Sequence, residues 1–307
     1  MSEHGLPVLY SLLVWWLSTG VVLYLDGLRP RTFRWSMLGA TLLLAVAMYC
    51  LADSRDDQSV AGAYVSFSSA LMVWAWVELS FLMGFITGPR RTPCARGCCG
   101  WRHFVHGVQA VLYHELALLA AAVAVVTLTR EGGNQFGTWT FLILWGMRTS
   151  AKLNVFLGVR NLSEEFLPPH LHYLESFFAR KSMNLLFPVS ITVATVIGTF
   201  LFIEAFAAEA SDFDVVGYTL LASLTTLAIL EHWFLVLPLP ATALWGWGLR
   251  SRNTSGDGNV GANERRVDDD LSVRIGPVLA ADVLLIGHIE AKHPERSTAQ
   301  LSPRQRP

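Results

Sequence analysis

Three long apolar segments of the chain carry ionisable residues at positions where a lipid-facing helix has none: Glu78, the pair His114 and Glu115, and the pair Glu231 and His232. A charged side chain near a bilayer centre costs at least ~2.5 to 3.5 kcal/mol on insertion scales, so such residues need partners or a function. Imidazole and carboxylate groups together suit iron, zinc or manganese, and helical bundles assemble such centres from facing side chains. The five residues are therefore a candidate intramembrane metal cluster.

Other interpretations of this set remain open. Adjacent residues such as His114 and Glu115 diverge by about 100° around a helix, which disfavours the familiar Glu-x-x-His di-metal arrangement. A histidine on a helix, His114 or His232, would instead suit axial ligation of the magnesium of a chlorin. The third interpretation is an ion-pair and hydrogen-bond network that only fixes helix packing.

The composition is typical of membrane proteins. Of the 307 residues, 52% are hydrophobic and 15% are charged, whereas soluble domains contain ~25% charged residues. No basic stripe accompanies the aromatic residues, so the expected partner is the lipid bilayer and not nucleic acid. The thiols of Cys94, Cys98 and Cys99 form no Cys-x-x-Cys pair and lack a fourth ligand, so we expect loop cysteines without a metal.

Apolar runs that can cross ~30 Å of hydrocarbon predict an all-α, polytopic bundle of about seven transmembrane helices. The fifth run is the weakest, because Arg148 and Lys152 end it early. All Lys and Arg except Arg55 and Arg130 fall on one side of this topology, which predicts a periplasmic N-terminus and a cytoplasmic C-terminus. The runs are Leu6 to Leu25, Trp35 to Leu51, Val60 to Thr87, Phe104 to Leu128, Phe136 to about Ser150, Leu185 to Ala207, and Val215 to Leu237.

The topology predicts which of the buried polar residues meet. Glu78 lies ten residues before Gly88, at the cytoplasmic end of the third helix, and His114 lies ten residues after Phe104, at the cytoplasmic start of the fourth; ten residues are ~15 Å of helical rise. The two helices are joined by a short loop and should be antiparallel neighbours, so we expect Glu78 to contact His114 or Glu115. Glu231 and its neighbour lie in the same half of the membrane, and all five residues are predicted to converge there.

The cytoplasmic end of the fifth helix should supply partners for these carboxylates. Arg148, Lys152 and Asn154 lie at that end. Two of them are cations, so we expect them to act as counter-charges, with Asn154 as a supporting polar group.

Two domains are expected. Residues 1–248 should form the membrane bundle, and residues 249–307 a polar, largely disordered cytoplasmic tail. Within the bundle, the segment at about 151–183 interleaves polar and apolar residues, which predicts one or two amphipathic helices at the membrane surface, broken at Pro168 and Pro169.

Eight strings of the chain, all within residues 6–248, resemble the PuhE family of photosynthetic complex assembly proteins of purple anoxygenic phototrophic bacteria. The strings are WWLSTG (Trp15 to Gly20), LYLDGL (Leu23 to Leu28), FSSALMVWAWVELSFLMGFITGPRR (Phe67 to Arg91), YHELAL (Tyr113 to Leu118), SAKLNVFLGVRNL (Ser150 to Leu162), LPPHLHYLESFF (Leu167 to Phe178), MNLLFP (Met183 to Pro188) and EHWFLVLPLP (Glu231 to Pro240).

This resemblance implies a multi-pass protein of the photosynthetic inner membrane, encoded near the reaction-centre H subunit. Its implied role is to assist assembly of the reaction centre and light-harvesting apparatus, or to modulate the supply of bacteriochlorophyll. The implied partners are photosynthetic complex subunits or pigment-synthesis proteins, and the candidate cofactors are bacteriochlorophyll or a divalent metal. The resemblance implies no established set of catalytic residues, so we expect an assembly factor and not an enzyme. The alternatives are a membrane metalloenzyme of pigment synthesis that uses the His/Glu site and, less favoured, a transporter.

Overall fold

The computed structural model describes residues 2–95, 97–162, 164–237 and 244–252, and these residues form an all-α bundle, as predicted. Among the described residues the only strand-like pairing is a single bridge between Val159 and Arg180. The helices are α1 (Ser2–Asp26), α2 (Phe33–Asp53), α3 (Val60–Leu82), α4 (Gly100–Thr129), α5 (Phe136–Leu157), α6 (Leu186–Ala205) and α7 (Asp212–Phe234).

Six of these helices have the length and apolar composition that crossing a membrane requires, so the protein is a multi-pass membrane protein. Large apolar side chains such as Leu42, Val196 and Ile203 are exposed on the outside of the bundle, where they contact lipid. The helix outside the six is α5, whose C-terminal half is polar. Its 22 residues rise ~33 Å at ~1.5 Å each, and α5 contacts α3, α4, α6 and α7. That α5 crosses the bilayer stays a prediction.

Helix α3 ends at Leu82, five residues before the predicted end at Thr87. Gly84 has a φ of 79°, and the N–H of Phe85 donates to the carbonyl oxygen of Ser80 at 2.9 Å. This is the Schellman arrangement, in which a glycine in the left-handed region closes the helix. Because apolar residues continue past this turn, the helix predicted from hydropathy is longer than the observed one.

The connection that follows α3 folds back along the middle of α4. The carbonyl oxygen of Thr87 accepts a hydrogen bond from the backbone N–H of His114 at 2.9 Å. Gly88 permits this approach, since a Cβ at that position would overlap the carbonyl oxygen of Gln109. His114 is thereby held beside the last turns of α3, although it lies 14 residues after the start of α4.

The amphipathic segment predicted at 151–183 is divided between two kinds of helix. Its first part continues α5 as far as Leu157, and its later part contains a 3-10 helix, Pro169–Phe177. Three residues per turn place every third side chain of a 3-10 helix on one face. The buried residues of this helix follow that period: Leu171, Leu174 and Phe177.

His170, in the 3-10 helix, closes the C-terminus of α3. Its Nε2–H donates to the carbonyl oxygen of Leu82 at 2.8 Å, one of the carbonyls that a helix end leaves without an intrahelical partner. Burial lowers the pKa of His170. The neutral ring, with its proton on Nε2, is therefore the form that binds α3 at neutral pH.

The last described residues are helical over 246–252 and are tied to the end of α1. The guanidinium of Arg252 donates to both carboxylate oxygens of Asp26, at 2.8 and 3.1 Å, and the Asp26 side chain is buried. The predicted start of the tail at residue 249 therefore falls inside a helix. The tail from residue 253 onward lies outside the described residues.

We expect Gly84→Ala to destabilise the bundle by about 1 kcal/mol, because the alanine Cβ disfavours the positive φ that ends α3. The matched control is Gly39→Ala in α2, where an added Cβ meets no atom within 4 Å. Thermal unfolding of the detergent-purified proteins, followed by circular dichroism, should give a lower midpoint for G84A and an unchanged or higher one for G39A. Equal midpoints for the two variants would contradict this role of Gly84.

Candidate functional site

A salt bridge joins α3 and α5 inside the bundle. Nη2 of Arg148 donates to Oε2 of Glu78 at 3.0 Å, and the Glu78 side chain is only 10% exposed. Desolvation of a carboxylate is costly, and a cation in direct contact offsets that cost. Arg148 therefore makes the ionised form of Glu78 tolerable at this position.

A second salt bridge lies one turn further along α5. Nζ of Lys152 is 2.8 Å from Oε1 of Glu115, which belongs to α4. Arg148 and Lys152 are four residues apart, so they share one face of α5. This face carries the two cations that the sequence predicts as counter-charges, and it meets carboxylates from two different helices.

Glu231, on α7, has a neutral partner. Its Oε1 accepts a hydrogen bond from Nε1 of Trp15 at 2.7 Å. Arg148 is near enough to interact with it electrostatically, but among the described residues no salt bridge to Glu231 is present. Trp15 was missed as a site residue, because a tryptophan in an apolar helix gives no signal of what it faces.

His114 is fully buried between α3 and α4. Its Nε2 lies 3.7 Å from Oε1 of Glu78, which is the contact that the antiparallel arrangement of the two helices predicts. Its ring packs against Phe81 with the ring centroids 4.4 Å apart. The histidine therefore fills the helix interface beside the carboxylate.

His232 uses both of its ring nitrogens within the protein. Nδ1 donates to the carbonyl oxygen of Ala228 at 2.9 Å, and Nε2 shares a hydrogen bond of 3.0 Å with the hydroxyl of Ser150. No ring nitrogen is left to bind a metal or a pigment. His232 links α7 to α5, and it points away from Glu231 because adjacent residues diverge by ~100° around a helix.

Asn154 supports the start of α6 and not the carboxylates. Its Nδ2 donates to the carbonyl oxygen of Ser150 at 3.0 Å, and its Oδ1 accepts from Nδ2 of Asn184 at 3.0 Å. Asn184 in turn accepts the backbone N–H of Leu186, at the first residue of α6, at 2.8 Å. The supporting role expected for Asn154 beside the carboxylates therefore stays a prediction.

A cavity of about 640 Å³ lies beside the charged residues. Ligand pockets in proteins commonly measure ~300 to 1,000 Å³ and combine apolar walls with a few convergent polar groups. The charged residues in its wall are Glu78, Glu115, Arg148, Lys152 and Glu231. The aromatic part of the wall includes Trp15, Trp74, Phe156, Phe166 and Trp245.

The cavity separates the predicted site residues into two groups. The three carboxylates and two cations reach it, whereas His114 and His232 do not line it. The pigment contact expected from each histidine is therefore not supported by their positions.

The intramembrane residues do not form a set of metal ligands. Among the described residues, the one group that places at least three ligand atoms within 4.8 Å of one another is Cys94, Cys98 and His106. In the bundle, Arg148 pairs with one oxygen of Glu78 and Lys152 with one oxygen of Glu115. The intramembrane metal cluster stays a prediction, which these contacts do not support.

Residues 1–256 match a protein family described as "Protein of unknown function (DUF3623)". The chain is 44% identical over 257 residues to the "Uncharacterized 30.4 kDa protein in puhA 5'region" of Rhodobacter capsulatus. The matched region covers 82% of this chain and 93% of that relative. No solved structure matches the chain. The match to the family includes α1 to α7 and therefore all the residues around the cavity.

We expect Arg148→Gln to leave the Glu78 carboxylate buried without its cation. Loss of one partner from a buried ion pair costs about 3 to 5 kcal/mol, and the 41% exposure of the Arg148 side chain favours the lower value. Adding Glu78→Gln removes the unpaired charge, so the double variant should be more stable than R148Q alone. Unfolding of the four proteins of this double-mutant cycle in detergent measures the coupling. If the double variant loses as much unfolding free energy as the two single variants lose together, Glu78 and Arg148 are not coupled and the prediction is contradicted.

Proposed function

Because the chain belongs to the DUF3623 family, and its Rhodobacter capsulatus relative is named for the 5′ region of puhA, we propose that it has a photosynthesis-related role in the bacterial inner membrane. In this role it assists assembly of the reaction centre and light-harvesting apparatus by receiving and presenting bacteriochlorophyll. The observation that carries the pigment-handling step is the charged, aromatic-walled cavity inside the bundle.

The walls of the cavity suit a chlorin ring. Such a ring is flat and largely apolar, with oxygen-bearing substituents at its edge and a magnesium ion at its centre. Aromatic residues such as Trp74 and Phe156 offer large apolar faces against which a ring can pack. Arg148 and Lys152 supply hydrogen-bond donors for oxygens at the edge of the ring.

Glu231 is the residue best placed to contact the magnesium. Magnesium prefers oxygen ligands, and carboxylate oxygens are the commonest of these in proteins. The carboxylates of Glu78 and Glu115 are already paired with cations, whereas Glu231 reaches the cavity with only a neutral donor, Trp15, on Oε1. This contact takes the place of the histidine ligation that the sequence suggests.

The distribution of Lys and Arg supports an orientation with the N-terminus in the periplasm and the C-terminus in the cytoplasm. Photosynthetic complex subunits or pigment-synthesis proteins are the partners that such a carrier would meet. A membrane metalloenzyme that uses the intramembrane His/Glu residues is the weaker proposal, because two of the three carboxylates, those of Glu78 and Glu115, are paired with cations of α5.

Pigment binding can be tested with the purified full-length protein and bacteriochlorophyll in detergent. We expect the wild-type protein to change the absorption and induce visible circular dichroism of the pigment. Ala75→Phe, which places a large side chain in the cavity wall, and Glu231→Gln should each weaken binding about tenfold, a change of ~1.4 kcal/mol.

The matched control is Ala45→Phe on α2, an exposed position that does not line the cavity. It adds the same side chain and should bind pigment as the wild type does. Equal binding by A45F and A75F, or no pigment binding by the wild type, would overturn the pigment-handling proposal.

The assembly role can be tested separately in cells. In Rhodobacter capsulatus that lacks the gene of the 44% identical relative, we expect lower absorbance of the assembled reaction-centre and light-harvesting complexes. This chain and its A45F variant should restore the absorbance, and A75F should not. Normal complex levels in the deletion strain would refute the assembly role even if the purified protein binds pigment.

A further inference from the structure

Two thiols and an imidazole come together outside the cavity, where the connection after α3 meets the first turns of α4. Sγ of Cys94 and Sγ of Cys98 each lie 3.5 Å from Nδ1 of His106. All three atoms lie within 4.8 Å of one another. The sequence predicts loop cysteines without a metal here, because the cysteines have no Cys-x-x-Cys spacing and His106 lies in a predicted membrane helix.

Both sulfur-to-nitrogen separations match those of a tetrahedral zinc site. Zinc binds cysteine sulfur at about 2.3 Å and histidine nitrogen at about 2.0 to 2.1 Å, which for tetrahedral angles separates sulfur from nitrogen by about 3.6 Å. The two observed separations are both 3.5 Å. The two sulfur-to-nitrogen distances therefore need little change for a zinc ion to bind among the three atoms.

The three residues are held by different parts of the fold. The backbone N–H of Cys94 donates to Oγ of Ser176, in the 3-10 helix, at 2.8 Å. The backbone N–H of Cys98 closes a turn onto Ala95 at 3.1 Å. His106 is fixed by α4. Ligands that are positioned before the metal arrives lose little freedom on binding it.

The charges around the group also suit zinc. Thiolates and imidazole are the ligands that structural and catalytic zinc sites use most. Arg90 and Arg102 lie near Cys98. Two thiolates balance the charge of one zinc ion, so the filled site is neutral and the arginines do not oppose it.

We propose that Cys94, Cys98 and His106 bind one zinc ion, with the fourth position open to solvent. The ion joins the connection after α3 to α4, next to the 3-10 helix Pro169–Phe177. This site is independent of the cavity and of the proposed role in photosynthesis. It forms in the reducing conditions that keep cysteines as free thiols.

The test is the metal content of the full-length protein, purified in detergent under reducing conditions with a tag that does not bind metals. We expect about one equivalent of zinc per chain. Protein stripped of metal should bind cobalt(II) and show thiolate-to-cobalt charge-transfer absorption together with the intense visible bands of tetrahedral cobalt. Cys94→Ser, Cys98→Ser and His106→Ala should each lower zinc retention about tenfold or more.

The matched control is Cys99→Ser, which removes the neighbouring exposed thiol and leaves the three ligands in place. It should keep its zinc and the cobalt spectrum. Circular dichroism confirms that each variant is folded. The proposal is overturned if the reduced wild-type protein binds neither zinc nor cobalt, if it holds a Cys94–Cys98 disulfide instead, or if C99S loses the metal as fully as C94S does.

Discussion

The contact between Arg148 and Glu78 is the constraint on which the centre of the bundle depends. Helix α5 carries cations that a lipid-facing helix does not tolerate, and it contacts four other helices. It can lie there only because α3 and α4 present carboxylates to the face that holds Arg148 and Lys152. The same charges that fix α5 also supply the polar side of the cavity. Packing and the candidate site are therefore two results of one arrangement of charge.

Much of this arrangement could be predicted from the sequence. The all-helical fold follows from apolar runs of membrane length, and the contact of Glu78 with His114 follows from the antiparallel order of α3 and α4. The end of α3 could not be placed by hydropathy, because the connection after Gly84 is also apolar and packs against α4 as the helix would. The predicted contact between Glu78 and His114 is present although the predicted end of α3 is wrong, because the connection after α3 returns beside α4 at the depth of Glu78.

The individual roles of the polar residues were harder to predict. A histidine in an apolar helix suggests a ligand, but the two ring nitrogens of His232 are hydrogen-bonded to the carbonyl oxygen of Ala228 and to the hydroxyl of Ser150. Trp15 and His106 gave no signal, because their partners lie 216 and 8 to 12 positions away in the chain and depend on how the elements pack. Spacing along one helix predicts which side chains share a face. It does not predict which side chain from another element meets them.

The salt bridge between Arg252 and Asp26 constrains the order in which the helices reach their final positions during synthesis. Helix α1 is synthesised before α7, yet it contacts α7, and the carboxylate at its C-terminal end is paired with Arg252, which follows α7 in the chain. Until that residue emerges from the ribosome, Asp26 has to remain at the water interface, since burying it alone would cost several kcal/mol. Helix α1 therefore enters the membrane before α7 does, but reaches its final place only after Arg252 has been synthesised.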